Sequence, residues 1–336
     1  MERAIWEQWP HAFMETREGI RVHYVDVGPR DGLPVVMVHG WPDLWFGWRH
    51  QIQALSSKYR LIVPDVRGFG QSSTPANVEA YGSKNISNDL VALLGELKIS
   101  KAVFCGHDWG GRFVWRVCLY HPERVIAVCG VCTPYDPPRK TYLPLEVVVE
   151  KVPQFKYQQF LADTDVSGKV LDASPRRLLT AMFRKPSEMG PQETRMSLPK
   201  LLMAVDSDMD HPVFTQRSTL LSEAELDYYV KQYSISKFAS ACQTYATGKI
   251  DFENELGLPK VIKHPALFIG AAKDAVLKPE MARGMAQVVP NLEMRVIEDA
   301  GHWVLWEQKD EVNAILTEWL AKIAAGVGSD NPIAKL

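Results

Sequence analysis

Five short apolar runs constrain this chain more than any other feature. "PVVMVHG", "YRLIVPDV", "KAVFCG", "VIAVCGVC" and "HPALFIGA" are nearly unbroken by polar residues and rich in Val, Ile and Leu. A strand buried on one face alternates polar and apolar residues. A continuous run marks a strand covered on both faces. Between these runs lie helical patterns: Trp45 to Leu55, then "NISNDLVALLGELK" with Ile86, Leu90, Leu93, Leu94 and Leu97 at helical spacing, then about Gly110 to Tyr120. Strands alternating with helices predict an α/β chain with a mostly parallel, doubly wound sheet. "HAFMETREG" and "IRVHYVDVG" alternate instead, which predicts an antiparallel start with a Gly-containing turn.

The rhythm stops near "CTPYDPPRK" and resumes at "HPALFIGA", followed by a helix from about Pro279 to Val288, the strand "LEMRVIE" and a last helix from about Gln308 to Ala325. The stretch between carries helical patches and no convincing buried strand. We therefore expect a core of residues 1–135 and 259–325, an inserted helical lid of residues 136–258, and a flexible C-terminal tail of residues 326–336. An insertion at the C-terminal end of a parallel strand overlies the face where such sheets bind ligands.

Charge excludes some partners. Lys and Arg (38) nearly balance Asp and Glu (40), for a net charge of −2, with the signs mixed along the chain. No basic face for nucleic acid is expected. No apolar run approaches the roughly 18–20 residues of a membrane span, and "MERAIWEQWP" lacks the apolar stretch of a signal peptide. Five scattered cysteines suit a reducing, cytoplasmic setting, and Cys129 and Cys132 lie in a β-branched run rather than at a helix start, so a redox or metal role is not expected. The ending Ala334-Lys335-Leu336 is a variant of the S-K-L peroxisomal address.

Four motifs carry chemistry. "GHDWGG" follows a buried strand and precedes a helix. Its spacing is that of a sharp strand-to-helix turn, with Asp108 at the apex and the Trp109 N–H beside it, near a helix N-terminus that favours negative charge. "HGWP" ends another strand and offers the Trp41 N–H as a second oxyanion donor. Asp274 lies just past "ALFIG", and His302 follows a strand in "EDAGHWVLWE". The order nucleophile, acid, histidine is that of the α/β-hydrolases. Asp136, in a Pro-rich turn, is the rival acid.

Together "HGWP…GHDWGG…KD…GHW" resembles the soluble epoxide hydrolases, within the α/β-hydrolase fold, over roughly residues 10 to 325. The chain starts too close to its first strand to hold the N-terminal phosphatase domain of the mammalian members, and it lacks the membrane anchor of the microsomal type. The resemblance implies no metal and no organic cofactor.

The chemistry agrees. A serine attacking saturated carbon would give an ether that water cannot cleave. A carboxylate gives an ester, which water can. Asp108 as nucleophile therefore implies displacement at sp³ carbon. His302, oriented by Asp274, then activates water, and the Trp41 and Trp109 N–H groups hold the oxyanion. An epoxide opening to an alkoxide needs an acid facing Asp108, and a phenol of pKa about 10 suits neutral pH. The resemblance supplies Tyr157, in a lid motif of the form F-x-Y-Q ("QFKYQQF"), and Tyr245, in the looser match "CQTYATGK". Tyr228, Tyr229 and Tyr233 are spaced for packing. Phe155, Gln158 and Trp303 are candidate substrate contacts, for a small apolar epoxide. Two alternatives use the same residues differently: a haloalkane or haloacid dehalogenase with the Asp nucleophile and Trp109 as halide clamp, or a binding protein with a dead site.

Overall fold

The computed structural model describes residues 4–189, 198–205, 207 and 211–329. Eight strands form one sheet: β1 (His11–Glu15), β2 (Arg21–Val27), β3 (Pro34–Val38), β4 (Arg60–Pro64), β5 (Ala102–His107), β6 (Val125–Val131), β7 (Ala266–Ala271) and β8 (Leu292–Ile297). Their spatial order is β1-β2-β4-β3-β5-β6-β7-β8. β2 runs antiparallel to both of its neighbours, and every later pairing is parallel. All six residues of β5 and all six of β7 are buried, as their unbroken apolar sequences require. At the edge, β8 exposes its middle residues.

The helices Ser83–Glu96 and Trp109–Tyr120 cover the sheet with Ile86, Leu90, Leu93 and Leu94 from the first and Phe113, Val114 and Val117 from the second. Three helical expectations change in detail. Trp45 to Leu55 opens as a 3-10 turn, Trp45–Trp48, before the α-helix Arg49–Leu55. The stretch from Pro279 to Val288 is two short pieces, because Gly284 between them adopts the left-handed conformation (φ 85°) that other residues resist. The last helix, Lys309–Ser329, outruns the expected end at Ala325, so the start of the expected tail is helical. Gly326 lowers helix propensity by about 1 kcal/mol against Ala without blocking the conformation. Ala334-Lys335-Leu336 lies outside the described residues.

Between β6 and β7 the chain is helical, from Leu145–Lys151 to Gly248–Glu255, with no strand among the described residues. This insertion sits at the C-terminal end of β6. Tyr157, Leu161, Phe183, Tyr229 and Tyr245 from it join Val38, Trp45 and Trp303 in one continuous buried cluster. Polar contacts tie it down. The Trp45 indole donates to the Tyr228 hydroxyl at 2.9 Å, and the Tyr229 hydroxyl donates to Asp43 at 2.6 Å. No described helix is long and apolar enough to cross a membrane.

Candidate active site

β5 ends at His107, and the helix Trp109–Tyr120 starts two residues later. Asp108 between them has φ 54° and ψ −124°, a strained conformation for a residue with a Cβ. Two glycines permit it. A Cβ on Gly106 would stand 2.1 Å from the Gly110 carbonyl oxygen, and one on Gly110 would stand 2.1 Å from that of Val38. The turn lifts Asp108 to the C-terminal edge of the sheet. The Thr133 hydroxyl braces it from below, donating to the Asp108 carbonyl at 2.6 Å.

The Trp41 N–H donates to Asp108 Oδ1 at 2.8 Å. The Trp109 N–H also hydrogen-bonds the carboxylate. Burial pushes the Asp108 carboxyl up, while His302 and these two N–H groups pull it down and leave a net upward shift.

Asp274 follows β7. Its Oδ1 accepts from the N–H groups of Val276 (2.8 Å) and Leu277 (2.9 Å), which leaves Oδ2 aimed at His302 Nδ1, 2.7 Å away. Burial pushes its carboxyl up, but the His302 charge and hydrogen bond and the two N–H groups outweigh this and hold it at about 2. His302 Nε2 lies 3.7 Å from Asp108 Oδ2. Burial pulls the imidazole down, while Asp274, then Asp108 and Glu307, raise it to about 9. His302 therefore sits between two carboxyl groups that both favour its protonated form. Asp136, the rival acid, is exposed and paired with Arg139 at 2.9 Å.

The insertion supplies two phenols. The Tyr245 ring packs edge-on against Trp109 (centroids 5.2 Å apart) and Trp41 (5.7 Å), the residues whose N–H groups hold Asp108. Tyr157 lies 5.9 Å from Tyr245, ring to ring. Burial raises both phenols well above their ordinary value, and the Asp108 charge adds to the rise. Hydrogen bonding from Gln158 and Tyr245 opposes it at Tyr157, and from Trp109 at Tyr245. Gln158 thus meets Tyr157, and Phe155 sits half-buried in the turn Pro153–Lys156 just before it. Trp303 is more anchor than open wall. Its indole donates to the Met182 carbonyl at 2.7 Å, and its ring stacks on Trp306 at 4.8 Å. Tyr228, Tyr229 and Tyr233 all engage the core segment Asp43–Trp45 through their hydroxyls.

Four neighbours escaped the motif reading. His107 Nε2 donates to the His302 carbonyl at 2.8 Å, and burial holds this ring neutral, at about 3. Cys132, at the end of β6 with φ 61°, lies against the same carbonyl, with Sγ at 3.8 Å. Ligand-type atoms of His107, Cys132 and His302 come within 4.8 Å of one another. Both ring nitrogens of His302 face carboxylates, so the trio fits the histidine loop better than a metal centre. Asp43, one residue past "HGWP", is buried and pushed up to about 7 by that burial, against the Tyr229 hydroxyl and Leu44 N–H that it accepts from. Glu307 takes the N–H groups of Gly301 (2.9 Å) and Trp303 (3.0 Å), on either side of His302. The sequence signal for Glu307 was an acid just over one helical turn past "GHW".

The profile described as alpha/beta hydrolase fold matches residues 34–309. The chain is 35% identical over 312 residues to bifunctional epoxide hydrolase 2 of Rattus norvegicus, covering 92% of this chain but 55% of that protein. It thus spans about half the length of that curated relative. It is 32% identical to epoxide hydrolase A of Mycobacterium tuberculosis, over 90% of this chain and 94% of the other. The crystal structure of epoxide hydrolase A from Mycobacterium thermoresistibile superposes with a TM-score of 0.82 at 30% identity, over 93% of this chain and 98% of that one. A carboxylate-bearing elbow, a histidine–acid pair facing it and these relatives agree: the chain belongs to the epoxide hydrolase family of the α/β-hydrolase fold.

Proposed function

We propose that this protein hydrolyses small apolar epoxides to vicinal diols through a covalent ester on Asp108. The observation that carries the reading is a buried carboxylate with an imidazole at 3.7 Å on one side and, on the other, the aromatic group that includes Tyr245 and Tyr157.

Asp108 Oδ1 is engaged by the Trp41 N–H. Oδ2 is the oxygen free to attack an epoxide carbon. The C–O bond of the ring breaks, and its oxygen takes a proton from Tyr157 or Tyr245. A phenol raised by burial stays protonated through the neutral range and is ready to donate. Esterification removes the Asp108 charge. With it goes one of the interactions that raise His302, so the imidazole releases its proton more readily and is available in its neutral form when the second step needs a base. The proton that His302 held passes through solvent to the tyrosinate left by ring opening, and the neutral imidazole, oriented by Asp274, takes a proton from water that attacks the ester carbonyl. The oxyanion forms on Oδ1, where the Trp41 and Trp109 N–H groups meet it, each such donor being worth about 2.7–4 kcal/mol. On collapse His302 returns its proton to the departing alkoxide oxygen, which completes the diol, and the new Asp108 carboxyl gives its proton to the imidazole, which restores the starting state. The insertion acts as the lid that carries the acid, and the site needs no metal or organic cofactor.

The Trp109 indole N–H hydrogen-bonds to Tyr245, whereas that of Trp41 is buried with no oxygen or nitrogen acceptor among the described residues, so leaving-group chemistry separates the two readings. The test is a paired assay with styrene oxide and a panel of bromoalkanes, measuring diol and bromide. Diol without bromide is the expected result. Bromide without diol would make Trp109 a halide clamp and remove the tyrosines from the chemistry.

A further inference from the structure

We propose that Glu307 is a positioning residue for His302, holding the imidazole toward Asp108 through the two backbone N–H groups that flank it and adding a negative charge beneath the loop. The inference rests on the epoxide hydrolase reading for its kinetic part and on geometry alone for its structural part.

His302 sits on a loop, between the end of β8 at Ile297 and the short helix Val304–Glu307. A loop residue within reach of both Asp108 and Asp274 needs its backbone fixed, because a shift of about 1 Å can cost about 10²-fold in rate. Glu307 provides the fixing. One carboxylate oxygen, Oε2, accepts from Gly301 N and the other, Oε1, from Trp303 N, at 2.9 and 3.0 Å. The side chain therefore spans the histidine residue and restrains it from both ends. Burial raises the Glu307 carboxyl, opposed by these two N–H groups and by His302.

The groups facing His302 come from every strand end around it. Asp108 and His107 lie at the end of β5, Cys132 at the end of β6 and Asp274 after β7. On the outer side of Glu307 lies Lys273, whose ammonium pairs with Asp299 at 2.8 Å. Within this group Glu307 is the third carboxylate acting on the imidazole, after Asp274 and Asp108. Losing its charge lowers the pH at which His302 titrates. A role confined to loop stability would not.

The experiment compares the wild-type protein with Glu307→Gln by two readouts. One is an NMR titration of the His302 ring, with no substrate present. The other is rapid-quench measurement with styrene oxide of how fast the covalent ester forms and decays. The expected result is a His302 titration moved to lower pH, ester formation within about twofold of wild type, and decay slowed by about 10- to 100-fold. An unchanged titration or an unchanged decay would overturn the proposal. If Glu307→Gln fails to fold, Glu307→Asp keeps the charge on a shorter arm. It should titrate near wild type and still decay slowly, and wild-type decay would overturn the positioning role. Absence of any ester in the wild-type protein would refute the epoxide reading instead, and the ring titration would still decide on Glu307.

Discussion

At the scale of single residues, the site is a set of carboxyl groups told apart by their surroundings. Asp274 is saturated with donors and held at about 2, so it remains an anion that orients His302. Asp108 has fewer donors and is pushed up by burial, which suits the nucleophilic role proposed for it. Asp43, buried in the loop after β3, is raised to about 7 and bonded to Tyr229. The roles divide by hydrogen-bond count rather than residue type. Replacing Asp274 by Asn would keep the shape and reverse one hydrogen bond, favouring the wrong tautomer of His302. We expect Asp274→Asn to form the Asp108 ester normally and hydrolyse it on the order of 10⁴-fold more slowly, by analogy with the same change in a serine protease triad. Intact-mass analysis during turnover would show the adduct accumulating. Near-normal turnover with no adduct would remove Asp274 from the mechanism.

At the scale of elements, the helix Trp109–Tyr120 does two jobs. Its first residue helps to hold Asp108, and its outer side anchors the exit of the insertion. Arg116 donates to both oxygens of Glu255, at 2.8 and 3.0 Å, and Arg112 reaches Asp251 and Glu255, each at 3.1 Å. Asp251 also accepts from the Ser83 N–H and hydroxyl, so three helices meet at these carboxylates. Arg116 and Glu255 are both buried. Removing one partner of such a pair strands the other charge, at a typical cost of about 3–5 kcal/mol. Glu255→Ala should therefore lower unfolding stability by about that amount in a denaturant titration. A change under about 1 kcal/mol would mean that solvent or neighbouring acids already satisfy Arg116.

At the scale of the whole molecule, Asp108 and His302 come from the sheet and Tyr157 and Tyr245 from the insertion, so the proposed reaction needs both parts in register. Much of this was legible in the sequence. Strands buried on both faces are recognisable by composition, and Asp108 and Asp274 each lie just past such a strand, while His302 follows the half-exposed edge strand β8, where the fold brings their ends together. What escaped notice depends on contacts between distant segments. Asp43 reads as an ordinary turn acid until the helix Glu223–Ser236 covers it, and Glu307 reads as a helix-surface acid because its partners are backbone N–H groups that no motif encodes. Gly284 breaks a helix that its neighbours favour. The central claim, that Asp108 itself attacks the substrate, is tested most directly by a single turnover in heavy-oxygen water with enzyme in excess over epoxide. The account predicts that the first diol is essentially unlabelled and that the heavy oxygen is recovered in the Asp108 carboxylate. A fully labelled first diol would mean that water attacks the epoxide directly, and would contradict it.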